Sequence, residues 1–287
     1  MKNNFGHDAT TSFTMWFEHH MLEYGEAYQN FTGKLYHTSD ERLPDTFHRY
    51  SSPYKQWVTE SGVGGGAFVP THISGSAGKI DKKDPNNGYF FDFNNGGIVV
   101  TGNSASANMN LSGSFSVKEF NIYNTNQTEE ALIVESKFDT NSRFFVPESG
   151  IAPYDFVTPA VFINNEYIEN EPFAFGGEDK TVLHFKSVVF AENLYQLDAM
   201  LSLFADTKNS VIPHLDFSSH PINEYGDLKT GKYLYSDPTK QTLEAPFNIE
   251  RVTTSKISET IRNTIAPGLF VGFLDFEITK PRFPRVC

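Results

Sequence analysis

Two imidazoles and a carboxylate fall within one short stretch, His214-Leu215-Asp216-Phe217-Ser218-Ser219-His220. That donor set suits a borderline transition metal, which takes imidazole nitrogen and carboxylate oxygen. The spacing of His214, Asp216 and His220 matches no strong metal motif, and the segment reads as loop. Ordinary loop polar groups are therefore expected, and no metal is assigned. His19 and His20 are adjacent on a helical pattern, where neighbouring side chains diverge. Asp81, Asp84 and Asp92 flank a turn, but Tyr89 stands where a calcium loop needs glycine.

Other chemistries find less support. Gly33-Lys34, Gly78-Lys79 and Gly231-Lys232 are followed by Leu, Ile and Tyr, so none completes a phosphate-binding loop. Gly62 to Gly66 is glycine-rich but opens no helical pattern, and a flexible loop is expected there. No serine sits in a nucleophile elbow. Cys287 is the single cysteine and has no framework around it. No catalytic residue and no cofactor is assigned, and the chain is expected not to be an enzyme.

Composition points to sheet. Of 287 residues, 27 are Phe and 13 are Tyr, types that favour pleated, half-buried surfaces. The charge of −12 argues against electrostatic grip on nucleic acid, which needs a basic face. A lone cysteine fits folding in a reducing compartment. The N-terminus lacks the apolar run of a signal peptide, and no stretch is apolar enough to span a membrane.

The elements follow from spacing. Phe13, Trp16, Phe17, Met21 and Tyr24 recur at helical intervals over Ser12 to Tyr24, with Gly25 as the stop. Such an aromatic face must lie on the body of the protein or on a neighbouring subunit, and these five residues are the expected interface. Short strands fit Tyr89 to Phe93 and Ile98 to Thr101, after turn chemistry at Asp84 to Gly88. Phe115 and Val117 share one phase while Phe120 and Ile122 share the other, which predicts a bulge near Lys118 or Glu119. Strands are expected over Ala131 to Phe138 and Thr181 to Phe190, and a hairpin turning at Asn164-Asn165. Helices are expected over Glu192 to Asp206 and Ser255 to Ile265. A closing strand covers Leu269 to Ile278, with Pro281 and Pro284 ending regular structure.

The fold class is therefore α+β: an antiparallel β-sandwich-like core with an N-terminal amphipathic helix and two later helices packed on the sheet. One structural domain is expected over residues 1–287. It divides into a helical segment (1–30), a β-rich core (31–190) and a strand–helix–helix–strand part (191–287). The last part contains a long loop, 213–246, of the kind that orders on a partner.

Two blocks carry a family resemblance. One is the aromatic helix with Tyr24-Gly25-Glu26-Ala27-Tyr28-Gln29-Asn30 and Ser52-Pro53-Tyr54-Lys55-Gln56-Trp57-Val58. The other runs from Thr181 to Asp206, through Glu192-Asn193-Leu194-Tyr195-Gln196-Leu197-Asp198, and resumes from Ile249 to Pro284. In these the chain resembles virion structural proteins of tailed bacteriophages, specifically ring proteins of the neck, head–tail connection or tail end, such as tail terminators. The resemblance implies a closed homo-oligomeric ring that meets other neck, tail or portal-vertex proteins. DNA would pass without specific binding, and the protein would reside in the virion after assembly in the host cytoplasm. The alternative is a β-sandwich binding or decoration protein that recognises a host receptor or glycan.

Overall fold

The computed structural model describes residues 5–102, 104–134, 139–140, 150–153, 155–174, 176–230, 232–235, 245–258 and 268–283. The chain opens with helix α1 (Phe5–Tyr24), followed by β1 (Tyr28–Thr38), β2 (Phe47–Ser51), β3 (Ile73–Gly75), β4 (Gly78–Ile80), β5 (Gly88–Asp92), β6 (Gly97–Thr101) and β7 (Leu111–Lys118). Next come β8 (Asn121–Asn124), α2 (Glu129–Val134), β9 (Asp139–Thr140), β10 (Val157–Thr158), β11 (Ala160–Ala174) and β12 (Glu178–Ala191). The remainder is α3 (Leu194–Ala205), β13 (Val211–Ile212), β14 (Phe247–Lys256) and β15 (Phe270–Arg282).

The strands form a seven-stranded sheet, ordered β4-β3-β7-β1-β2-β6-β5, and a six-stranded sheet, ordered β13-β14-β15-β12-β11-β8. A small parallel pair, β9 with β10, lies apart. Strand β1 bends between partners: Tyr28 to Leu35 pair with β7, and Tyr36 to Thr38 with β2. The α+β class with a mostly antiparallel, sandwich-like core is what the fold shows.

The phase slip near Lys118 has a different cause from a bulge. Strand β7 belongs to the seven-stranded sheet and β8 to the six-stranded one, so the chain changes sheets across Glu119-Phe120. Phe115 and Val117 enter one core, while Phe120 and Ile122 enter the other. The crossing is held by the Gln56 side chain, whose Nε2 donates to Ile122 O at 2.8 Å and whose Oε1 accepts from Ile122 N at 2.9 Å. An amide side chain thus stands in for a strand neighbour. The division at residue 190 is corrected too. β12 pairs along its whole length with β11 and β15, so residues before and after that point share one sheet.

Other expectations are corrected by long-range pairing. Asn164-Asn165 is no hairpin turn: β11 runs on to Ala174, with a register shift between Asn165 and Tyr167, before the chain reverses at Gly176-Gly177 into β12. Glu129 to Val134 is helix, not strand, and residues 135–138 of that expected strand lie outside the described residues. Of the two expected later helices, the first is α3, capped by Asn193, whose Oδ1 accepts from Gln196 N at 2.9 Å. The second fails at its start, because Ser255 and Lys256 pair with Phe273 and Gly272 in the sheet. Residues 259–265 of it lie outside the described residues. β15 continues through Pro281, which sits opposite Lys180 on β12, while the pairing of β14 with β15 stops at Thr279. Proline is tolerated there because no second ladder needs its N–H.

Helix α1 lies on one face of the six-stranded sheet. Its sequence is poor in strong helix formers, with Thr10, Thr11, Ser12, Phe13 and Thr14 in succession, so burial must supply what propensity does not. Phe13 stacks on Phe185 at 4.3 Å and meets Phe276 edge-on at 5.1 Å. Gly25 ends the helix where a Cβ would lie 2.9 Å from a Leu203 methyl carbon, which lets α1 and α3 approach closely. The opposite face of the sheet buries Phe162, Val188, Phe190 and Val271 with Leu132 of α2.

Candidate functional site

The aromatic face of α1 is not a surface. Phe13, Trp16, Phe17 and Met21 are buried in the chain's own core, and only Tyr24 is exposed. The expected interface is corrected accordingly, because the six-stranded sheet and α3 already satisfy that face. The described part of the long loop is likewise turned inward. Leu215 and Tyr233 pack on Met15, and Ser12 Oγ accepts from Leu215 N at 2.8 Å. The loop straps α1 onto the sheet.

His214, Asp216 and His220 do not converge. His214 is stacked edge-on between Phe5 and Phe247 and bonded to Lys280 Nζ. Asp216 caps the short turn Phe217–Ser219, and its carboxyl is held below the usual range, first by the Ser218 hydroxyl. His220 Nδ1 bonds the backbone of Ile222. Asp81 and Asp84 accept from Lys83 N and Asn86 N as turn-forming carboxylates, while Asp92 is paired with Arg49. Among the described residues, no group of three potential ligands stands close enough to hold a metal.

Titratable groups do gather in an internal cavity of about 230 Å³ between α1 and the seven-stranded sheet. Lys118 Nζ meets Glu18 at 2.8 Å, and the His19 ring stacks on Tyr235 at 4.3 Å, with Glu60 3.6 Å from its Nδ1. Burial holds the His220 imidazole below its ordinary pKa and the Tyr235 phenol well above its own. The Lys118–Glu18 pair joins α1 to β7 as a neutralised, largely buried contact.

Unpaired strand backbone lies at both margins of the six-stranded sheet. On one side β8 pairs only with Ala160 to Ile163, so β11 from Asn164 onward has no outer partner among the described residues. Glu166 to Ala174 are exposed on both faces. On the other side β13 pairs with Phe247 and Asn248, and Asn209 N and Ser210 O bond Ile249, which leaves Glu250 to Lys256 as an open edge among the described residues. The margins differ in charge. The β11 edge carries Glu169 and Glu171, with Glu166 held by Lys186 at 3.3 Å, and no cation, while the β14 edge carries Arg251, with Lys256 bonded to Asp198, against Glu250. Glu250 is already engaged by Lys180 at 2.8 Å, and its carboxyl is lowered by that bond. The two edge strands run in opposite directions, since three antiparallel pairings separate them. A second sheet laid beside the first, in the same orientation, would therefore meet it antiparallel.

Alternation makes β11 recognisable only in part, and it does not mark β14 as a strand, whose last residues are expected to open a helix. What made them edges, the shortness of β8 and β13, leaves no local mark in sequence. No protein-family model matches this chain, and no curated protein matches it.

Proposed function

We propose that the protein is a virion structural component of a tailed bacteriophage that assembles as a closed ring in the neck or tail. The observation that carries the reading is the pair of open edges on the six-stranded sheet, antiparallel in sense and opposite in charge. Such edges favour a head-to-tail contact between identical copies, β11 of one beside β14 of the next. A heterologous contact of this kind closes into a ring when its rotation divides a full turn. Unpaired strand edges are templates for another chain. The layout supports the reading too: an N-terminal helix laid on a sheet whose long hairpin leads into a helix and then a closing strand, as in the ring proteins the sequence resembles. The charge of −12 fits a lumen that DNA traverses without adhering.

Light scattering behind a sizing column, over a concentration series, tests this. A discrete oligomer that Arg251→Glu dissociates is expected. A wild-type chain that stays monomeric at every concentration sinks the self-assembling ring.

A further inference from the structure

We propose that the outer face of β2-β6-β5 binds a neutral oligosaccharide. This site is separate from the sheet edges, and its argument does not depend on ring assembly. The strand register sets Arg49 opposite Val99 and Val99 opposite Phe90. Together with Phe47, Asp92 and Thr101 they floor an open cleft of about 780 Å³, walled by the segments around Asp40 and Tyr225. That size lies within the ~300–1,000 Å³ of ligand clefts.

The floor is built and prepaid. The Asp40 carboxylate takes Arg42 through two bonds, at 2.9 and 3.0 Å, and Arg49 Nε at 2.9 Å. Arg49 Nη1 continues to Asp92 at 2.5 Å. The Asp40, Arg49 and Asp92 side chains are only 1%, 6% and 4% exposed, while Arg42 is 57% exposed at the rim. Two arginines and two aspartates cancel, so neither an anion nor a cation gains from the floor's net charge. Bonded to one another and, Arg42 aside, nearly buried, these groups make a rigid floor of no net charge, and hydroxyl contacts fall to the exposed rim.

An aromatic platform borders this floor. Tyr225 is 63% exposed and stands edge-on to Phe90 at 6.1 Å. Its position is fixed from below. Asn223 Oδ1 accepts from Tyr225 N and Asp227 N, Gly226 O accepts from Phe93 N, and Asp227 is tied to Lys82 at 2.5 Å. Gly226 has φ +88°, and a Cβ there would fall 2.3 Å from Asp92 Oδ1. The exposed ring stands beside the polar floor on a pinned loop, and a pyranose offers it a C–H face. The Asn94 side chain, exposed at the rim, bonds no described residue and is available to a hydroxyl.

The test is titration of the full chain with maltohexaose, cellohexaose, mannohexaose and N-acetylchitohexaose, read by saturation-transfer NMR and calorimetry. Saturable binding of at least one is expected, weakened up to about tenfold by Tyr225→Ala, reduced by Asn94→Ala, and unchanged by Tyr195→Ala on the remote helix α3. Absence of binding across the panel overturns the proposal. So does binding that Tyr225→Ala leaves unweakened, or that Tyr195→Ala weakens equally.

Discussion

The Phe17 ring of α1 lies flat on the Phe204 ring of α3, with centroids 4.0 Å apart and planes within 10°. Both residues are fully buried, and Phe276 meets each of them edge-on. Three segments far apart in sequence are thereby locked in one cluster. Phe17→Ala should cost about 3–5 kcal/mol in urea unfolding, the range for deleting a buried aromatic ring. Tyr24→Ala, on the exposed end of the same helix, should change stability by no more than about 0.5 kcal/mol. Equal effects would contradict the burial of that face.

That contrast shows what the sequence carried. The 3.6-residue spacing of Phe13, Trp16, Phe17 and Met21 announced a helix with an apolar face, but spacing is silent on whose surface covers it. The covering strands, β12 and β15, lie more than 150 residues away. The α+β class was readable from long alternating runs such as β12. The sheet change at Glu119-Phe120 was readable only as a phase slip, because a bulge and a crossover invert the side-chain phase alike. None of the cleft's parts formed a motif: Asp40, Arg49, Asp92 and Tyr225 meet only through β2-β6-β5 pairing and one pinned loop.

The buried chain of charge beneath the cleft should be fragile in a particular way. Arg49→Met leaves Asp92 and Asp40 buried without their shared cation. Removing one partner of such a pair costs about 3–5 kcal/mol. Asp92→Asn in the same background should recover part of that loss by removing one stranded charge. Chemical denaturation of the two variants decides it, and a double variant no more stable than Arg49→Met would refute the pairing argument.

The edge model predicts assembly by complementation. Arg251→Glu spoils contact with the acidic β11 edge, and Glu169→Lys with Glu171→Lys spoils contact with the basic β14 edge. Each variant alone should be monomeric. Mixed, each presents an edge that suits the other, so oligomers should reappear with strict alternation, and only even-numbered rings can close. Native mass spectrometry of the mixture reads this directly. Homogeneous oligomers of either variant would exclude the assigned edges.

Acid should destabilise the fold before carboxylates titrate. His20, His37 and His220 are all held below 6.5, chiefly by burial. The unfolded chain then takes up protons first as pH falls, so the stability these imidazoles contribute is full above 6.5 and declines below it. Glu129 and Asp275, raised by burial, shift the other way and offset part of the loss at lower pH. Unfolding free energy measured against pH should bend downward near 6.5, and His220→Gln should soften the bend. A flat profile there would show that these imidazoles titrate normally.

On the alkaline side the same sign holds first and reverses only above pH 10. Lys55 is buried with its Nζ donating to Ala152 O at 2.9 Å, and burial lowers its pKa to about 8 against Asp155 and Asp92, which raise it. Between pH 8 and 10 the folded chain sheds this proton while the unfolded chain keeps it, so stability should rise with pH. Above 10 the buried phenols of Tyr50, Tyr123 and Tyr235, all raised by burial, hold protons that the unfolded chain loses. Stability should then fall. The expected profile climbs from pH 8, peaks near 10 and drops beyond it. Lys55→Met should abolish the climb and leave the drop, because only the ammonium is removed. A climb that persists in Lys55→Met would assign it to another group and show that the Lys55 ammonium is not held under strain by its burial.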